Sequence, residues 1–325
     1  MIDNIINIMN SYPVISNIII VGLSFLILIK ASDLIIFGIS NYARKFGISD
    51  YLIGFLVVAI GMSLPEFSAA INGAIVNDSG VVLGTIFGSN IITLTLVLGV
   101  LAIAGHKINL ESRLLRETGK YLLPLSVLPF FVFLNKEASR IDGLILILVF
   151  LVYIIMLWKK EGTFGKLRSV KIKFIWKDAF VFVGALVALL LSARWLVFSS
   201  INLSYIFGVS SYLVALIIIG FGSSLPDLTV QIKAVRSGHH NIGFGNVLGS
   251  TITKMLLLLG IVIMINPIKI DFSLIIVSII FYVVSMLFVI FLIKNKEMDY
   301  KHGILLIAVY LIFIFIEILK EFNII

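Results

Sequence analysis

Cysteine is absent from the 325-residue chain, which excludes disulfides and thiolate metal ligands. Charge is scarce as well: 13% of the residues are Asp, Glu, Lys or Arg, against about 25% in a soluble domain. The four histidines, His106, His239, His240 and His302, fall in or beside expected loops, so no histidine metal site is expected. The adjacent His239 and His240 read as a solvated pair. No phosphate-cradling glycine loop or His-rich metal motif is present, and the chain is not expected to be an enzyme. Its first ten residues, MIDNIINIMN, lack a basic n-region and a small-residue cleavage site, so the first apolar stretch is expected to stay as a span.

Apolar sequence is what the chain has in excess, at 60% hydrophobic residues and a mean hydropathy of +1.17. Helices of about 20 apolar residues cross a hydrocarbon core of roughly 30 Å. Ten such spans are expected, near 15–38, 51–75, 81–104, 120–134, 141–158, 178–199, 211–235, 241–264, 272–293 and 303–320. The fold class is therefore all-α, a polytopic protein embedded in a lipid bilayer. The net charge of +8 raises the possibility of a nucleic-acid partner, which the placement of the charge excludes. Arg44, Lys45, Lys107 to Lys120, Lys159 to Lys177, Lys233, Arg236 and Lys294 to Lys301 share one face, whereas the other receives Lys136, Arg140, Lys269 and Lys320. By the positive-inside rule the first face is cytoplasmic and both termini lie outside the cell membrane.

The segment VVAIGMSLPEFSAAI at 57–71 recurs as IIGFGSSLPDLTVQI at 218–232, an offset of 161 residues. The same offset pairs Gly84 with Gly245, Gly88 with Gly249, Ser89 with Ser250 and Gly99 with Gly260, without a gap. Two five-helix repeats are expected, residues 1–160 and 178–325, joined by a basic cytoplasmic linker at 161–177. Five spans are an odd number, so the second repeat enters the membrane inverted. Inverted repeats are a transporter signature, with the binding site at their interface near the bilayer midplane.

Pro and Gly inside a membrane helix are tolerated only against protein or a water-filled cavity. Ser63, Pro65 and Glu66, and in the other copy Ser224, Pro226 and Asp227, read as a capping box that restarts a half-helix after a break. At i, i+3 spacing each hydroxyl and carboxylate share a face and can reach one small ion. A second stripe follows on the next span, Ser89 with Thr93 and Ser250 with Lys254. Two acids, Glu66 and Asp227, with surrounding hydroxyls make a hard oxygen site suited to Na⁺ or Ca²⁺. Asp33 and Arg194 occupy equivalent positions and are expected to pair; Lys30 and Glu317 are expected to snorkel.

At AIGMSLPEF and GFGSSLPDL, each followed by a Gly-x-x-x-Gly-Ser element, the chain resembles the sodium/calcium exchanger family of cation/calcium antiporters. The resemblance implies ten helices, a central cluster of cation sites and alternating access in which the first and sixth helices slide past the rest. It carries Ser63, Glu66, Ser89, Ser224, Asp227 and Ser250 onto ligand positions, with Asn246 retaining the pattern and Ser223 standing where the family usually has Thr. Four residues after each Gly-Ser pair the family commonly has Asn or Asp, and here stand Thr93 and Lys254. Two unit charges 4 Å apart interact by roughly 4 kcal/mol at an effective dielectric near 20, so an ammonium there opposes a divalent ion. Lys254 is expected to act as a tethered cation paired with Asp227 or Glu66 where a Na⁺ would otherwise sit, or to release its proton in one conformation. The function expected is a secondary active antiporter moving Ca²⁺ or another small cation against Na⁺ or H⁺ with altered stoichiometry, and no resident cofactor. The alternative is a non-transporting scaffold or sensor whose ion site a Lys254 salt bridge closes.

Overall fold

Backbone N–H and C=O groups in lipid find partners only within their own segment, so long apolar runs fold as helices. The computed structural model describes residues 12–45, 63–105, 107–109, 113–134, 137–161, 175–236, 240–322 and 324. Helix α1 spans Pro13–Lys45, α2 Leu64–Ile75 and α3 Ser79–Gly105. Strand β1 is Lys107–Asn109, α4 Arg113–Phe133, β2 Glu137–Ala138 and α5 Arg140–Glu161. Then come α6 at Ile175–Phe207, α7 at 211–236, α8 at 240–265 and β3 at Ile268–Lys269. The chain closes with α9 at Phe272–Asn295, β4 at Glu297–Asp299 and α10 at Tyr300–Glu321. Among the described residues seven helices are long and apolar enough to cross a membrane, and shorter apolar helical stretches lie at 120–133 and 211–225.

Helices α3 and α8 are buried along most of their length, whereas α1, α5, α9 and α10 turn most of their apolar side chains outward. That arrangement suits a protein whose surroundings are themselves apolar. Helix α1 packs lengthwise on α6. Two close crossings tie early and late segments together. A Cβ on Gly99 of α3 would lie 2.8 Å from the Gly303 carbonyl oxygen of α10, and one on Gly260 of α8 would lie 2.8 Å from the Gly143 carbonyl oxygen of α5. Only glycine lets backbones approach so closely.

Two short antiparallel ladders add to this. Strand β1 pairs with β4, Ile108 opposite Met298, and β2 pairs with β3, Ala138 opposite Ile268. The Asn266 amide donates to Asn77 Oδ1 at 2.8 Å, so α8 ends where α3 begins. The ladders therefore lie at opposite ends of α3.

Three expectations are corrected. Ser63 precedes α2 without a side-chain cap, and Ser224 sits inside a continuous helix, donating to the Gly220 carbonyl at 2.8 Å. The irregularity of α7 is instead a π-helical turn at Ala215–Ile219; residues 46–62, where the first copy's break was expected, lie outside the described residues. Asp33 and Arg194 are both exposed and, among the described residues, no ion pair joins them. Side-by-side antiparallel helices put equivalent positions at different depths. Glu317 does not snorkel: it is 3% exposed and accepts a hydrogen bond from Ser278 at 2.7 Å.

Candidate functional site

Helices α2, α3, α7 and α8 carry the side chains that the repeat singled out, and bring Glu66, Thr93 and Lys254 together. A Cβ on Gly88 would lie 2.5 Å from the Leu216 carbonyl oxygen, and one on Gly220 would lie 3.0 Å from Ser89 N. Helices α3 and α7 thus touch backbone to backbone beside Ser89. Ser63, Glu66, Ser89, Thr93, Ser223, Ser224, Asp227, Asn246, Ser250 and Lys254 are all buried.

Their hydrogen bonds fall into two classes. The hydroxyls spend their donors on their own helices: Ser89 on Ile86 O at 3.4 Å, Thr93 on Ser89 O at 2.6 Å, Ser223 on Gly220 O at 3.2 Å and Ser250 on Val247 O at 3.1 Å. A hydroxyl that donates backward keeps its lone pairs for another partner. The carboxylates are different, since among the described residues no oxygen of Glu66 or Asp227 has a hydrogen-bond partner. Buried acceptors without donors are rare in proteins, and an excess of them is the chemistry of a cation site.

Lys254 supplies positive charge to this cluster. Its Nζ stands 3.8 Å from Glu66 Oε1, with both side chains fully buried, and donates to Thr93 Oγ1 at 3.3 Å. Asp227 lies near enough to interact electrostatically with both Glu66 and Lys254. Thr93 and Lys254 are the 161-offset pair, so equivalent positions of the two copies meet side chain to side chain. Each stands at the start of a π-helical turn, Thr93–Val97 in α3 and Thr253–Leu258 in α8. Such turns recur at functional sites because the widened coil re-aims side chains.

Sequence reasoning missed Asn90, Thr251 and Gln231. All three are buried, and among the described residues neither amide atom of Asn90 or Gln231 nor the hydroxyl of Thr251 has a hydrogen-bond partner. Asn90 and Thr251 are another 161-offset pair beside Ser89 and Ser250, a signal that was present in the repeat. Among the described residues no group of three or more His, Cys, Asp or Glu side chains comes together.

Comparison with known proteins bears on this site. Residues 16–159 and 177–319 match the family described as sodium/calcium exchanger protein. The sodium/calcium exchanger MaX1 of Methanosarcina acetivorans is 28% identical, over 92% of this chain and 97% of the relative. The inner membrane protein YrbG of Escherichia coli is 31% identical, over 78% of this chain and 81% of its own. Among solved structures, the sodium-calcium exchanger NCX_Mj superposes with a TM-score of 0.66 at 25% identity, covering 92% of this chain and 98% of that one.

Proposed function

We propose a function from one premise: the chain belongs to the sodium/calcium exchanger protein family. It is a multi-pass membrane protein whose relatives include antiporters of small cations. We infer that it is itself a secondary active antiporter, carrying Ca²⁺ or another small cation against Na⁺ or H⁺ by alternating access. Ten helices in two inverted repeats form it, with both termini outside and the basic segment around 161–177 cytoplasmic. Ser63, Glu66, Ser89, Thr93, Ser223, Ser224, Asp227, Asn246 and Ser250 line the cation path, with Glu66 and Asp227 as charged ligands.

The contact of Lys254 with Glu66 at 3.8 Å carries the finer reading. The ammonium takes the place of one transported cation. With Lys254 charged, one Na⁺ or one H⁺ neutralises the acids, whereas Ca²⁺ would leave an excess positive charge in a site shielded from water. Fewer ions therefore move per cycle than in a site with an acid at this position. The same contact also fits a scaffold with a closed ion site, so the test must separate the two.

Flux into vesicles reconstituted with the full chain does so. The unsubstituted protein is expected to move cations under a Na⁺ or pH gradient, and Lys254→Asp to gain or strengthen Ca²⁺ flux. No flux under either gradient, with Lys254→Asp folded and equally silent, favours the scaffold. Sidedness is checked separately: Ser169→Cys, the only cysteine such a variant would contain, is expected to react with a membrane-impermeant maleimide only from the cytoplasmic side.

A further inference from the structure

We propose that Gln231 forms a neutral cation subsite one helical turn from Asp227, on one side of the central site only. This inference rests on the antiport reading above and adds to it a difference between the two directions of approach.

Ser224, Asp227 and Gln231 follow at spacings of three and four, so they form one stripe along α7. Their exposures are 2%, 0% and 1%. Among the described residues, neither polar atom of the Gln231 amide has a hydrogen-bond partner. Burying an amide without partners costs free energy, and a ligand that supplies the missing bond offsets that cost. Its carbonyl is a hard, uncharged oxygen of the kind that coordinates Ca²⁺ and Na⁺ alongside carboxylates.

The other copy lacks this step. The equivalent stripe reads Ser63, Glu66, Ala70, and Ala70 is fully buried in the apolar core. A second pair repeats the difference: one turn from Ser250 stands Asn246, and one turn from Ser89 stands Thr85. Direction follows from the packing. Ser211 donates to Asp78 Oδ1 at 2.8 Å, so α3 and α7 start together and run the same way. Gln231 therefore lies beyond Asp227 toward the β1–β4 ladder. Ala70 lies from Glu66 toward Asn77, at the opposite face.

A cation entering from the β1–β4 face meets amide oxygens before it meets the acids and can exchange its water one ligand at a time. From the opposite face it meets an alanine and a threonine at the corresponding depth. The subsite lowers the concentration needed for half-maximal transport from the first face.

Sided vesicles holding the full chain test this, with Ca²⁺ as the probe and the Ser169→Cys label reporting orientation. Gln231→Met, which keeps the volume and removes the amide, is expected to raise the half-saturating Ca²⁺ concentration about tenfold from the β1–β4 face, the loss of one ligand worth about 1.4 kcal/mol, and to leave the other face unchanged. Gln231→Glu is expected to lower it on the same face. Equal shifts on both faces mean a structural role and overturn the subsite, as does no shift on either. Absence of any cation flux from the unsubstituted protein under a Na⁺ or pH gradient defeats the antiport reading instead, whereas flux of Na⁺ or H⁺ without Ca²⁺ leaves that reading standing. Equilibrium binding of radiolabelled Ca²⁺ to the solubilised chain then decides the subsite, and equal affinity with and without Gln231→Met overturns it.

Discussion

The two copies of the repeat agree at one kind of position and disagree at another. A Cβ added to Gly99 or to Gly260, 161 residues apart, would lie the same 2.8 Å from the carbonyl oxygen of Gly303 or of Gly143. Ser89 and Ser250 fold their hydroxyls onto the carbonyl three residues back in the same way. Thr93 and Lys254 also occupy equivalent places, yet one is a neutral acceptor and the other an ammonium that reaches across to it. At Gly99 and Gly260 a larger residue would push helices apart, and both copies keep glycine. At Thr93 and Lys254 a change alters charge within the same cluster, and there the copies have diverged.

The largest expected effect tests how far Lys254 depends on the opposite copy. Removing one partner of a buried ion pair costs about 3–5 kcal/mol, so Glu66→Ala is expected to lower the thermal unfolding temperature sharply and abolish flux. Adding Lys254→Met to Glu66→Ala is expected to restore most of the stability. A neutral Glu66→Ala breaks the idea of cross-copy dependence. Next, Gly99→Ala and Gly260→Ala are each expected to cost about 1–3 kcal/mol by overpacking. Their effects on unfolding are expected to match, and a large inequality would break the agreement claimed for the scaffold. Thr93→Val keeps the shape and removes the acceptor from the ammonium, at an expected cost of about 1–2 kcal/mol, read in a double-mutant cycle with Lys254→Met.

The smallest effect lies outside the chamber. Asp271 caps α9, and the Ser273 hydroxyl at 2.6 Å and backbone N–H at 2.9 Å hold its carboxyl below the usual carboxylate range. Its stabilisation is therefore complete above the ordinary aspartate pKa and is lost as pH falls through the lowered value. Asp271→Asn is expected to reduce that acid sensitivity slightly in thermal unfolding. The equivalent position in the first copy is Leu110, which carries no such group.

Much of this was legible in the sequence. Apolar runs bounded by charge predict spans such as 141–158 and 272–293, which α5 and α9 contain with a few residues to spare. The repeat identified the polar stripes because Ser, Pro, carboxylate and Gly recurred in register. What the sequence hid depends on distances in space. A pairing of Lys254 with Asp227 or Glu66 is expected from the repeat and the family resemblance, but no local pattern chooses between them; packing puts the ammonium 3.8 Å from Glu66, 188 positions away. The π-helical turns have no compositional mark: ALIII at 215–219 reads as any apolar helix. Glu317 looked like a residue reaching for the membrane surface because Ser278, its partner, lies on another helix. Gln231 was overlooked for the opposite reason, since its counterpart Ala70 is apolar and a search for matching polar pairs passes over it.

The ladders have a consequence for assembly. Each pairs a strand made early with one made late, β1 with β4 and β2 with β3, and the glycine notches of α3 and α5 are likewise filled by α10 and α8. A chain threaded into the bilayer in order thus holds its first five segments with unzipped edges and open seams until translation is nearly complete. The two gene halves, expressed as separate polypeptides, should find each other in the same membrane, and either one alone should be cleared by quality-control proteases.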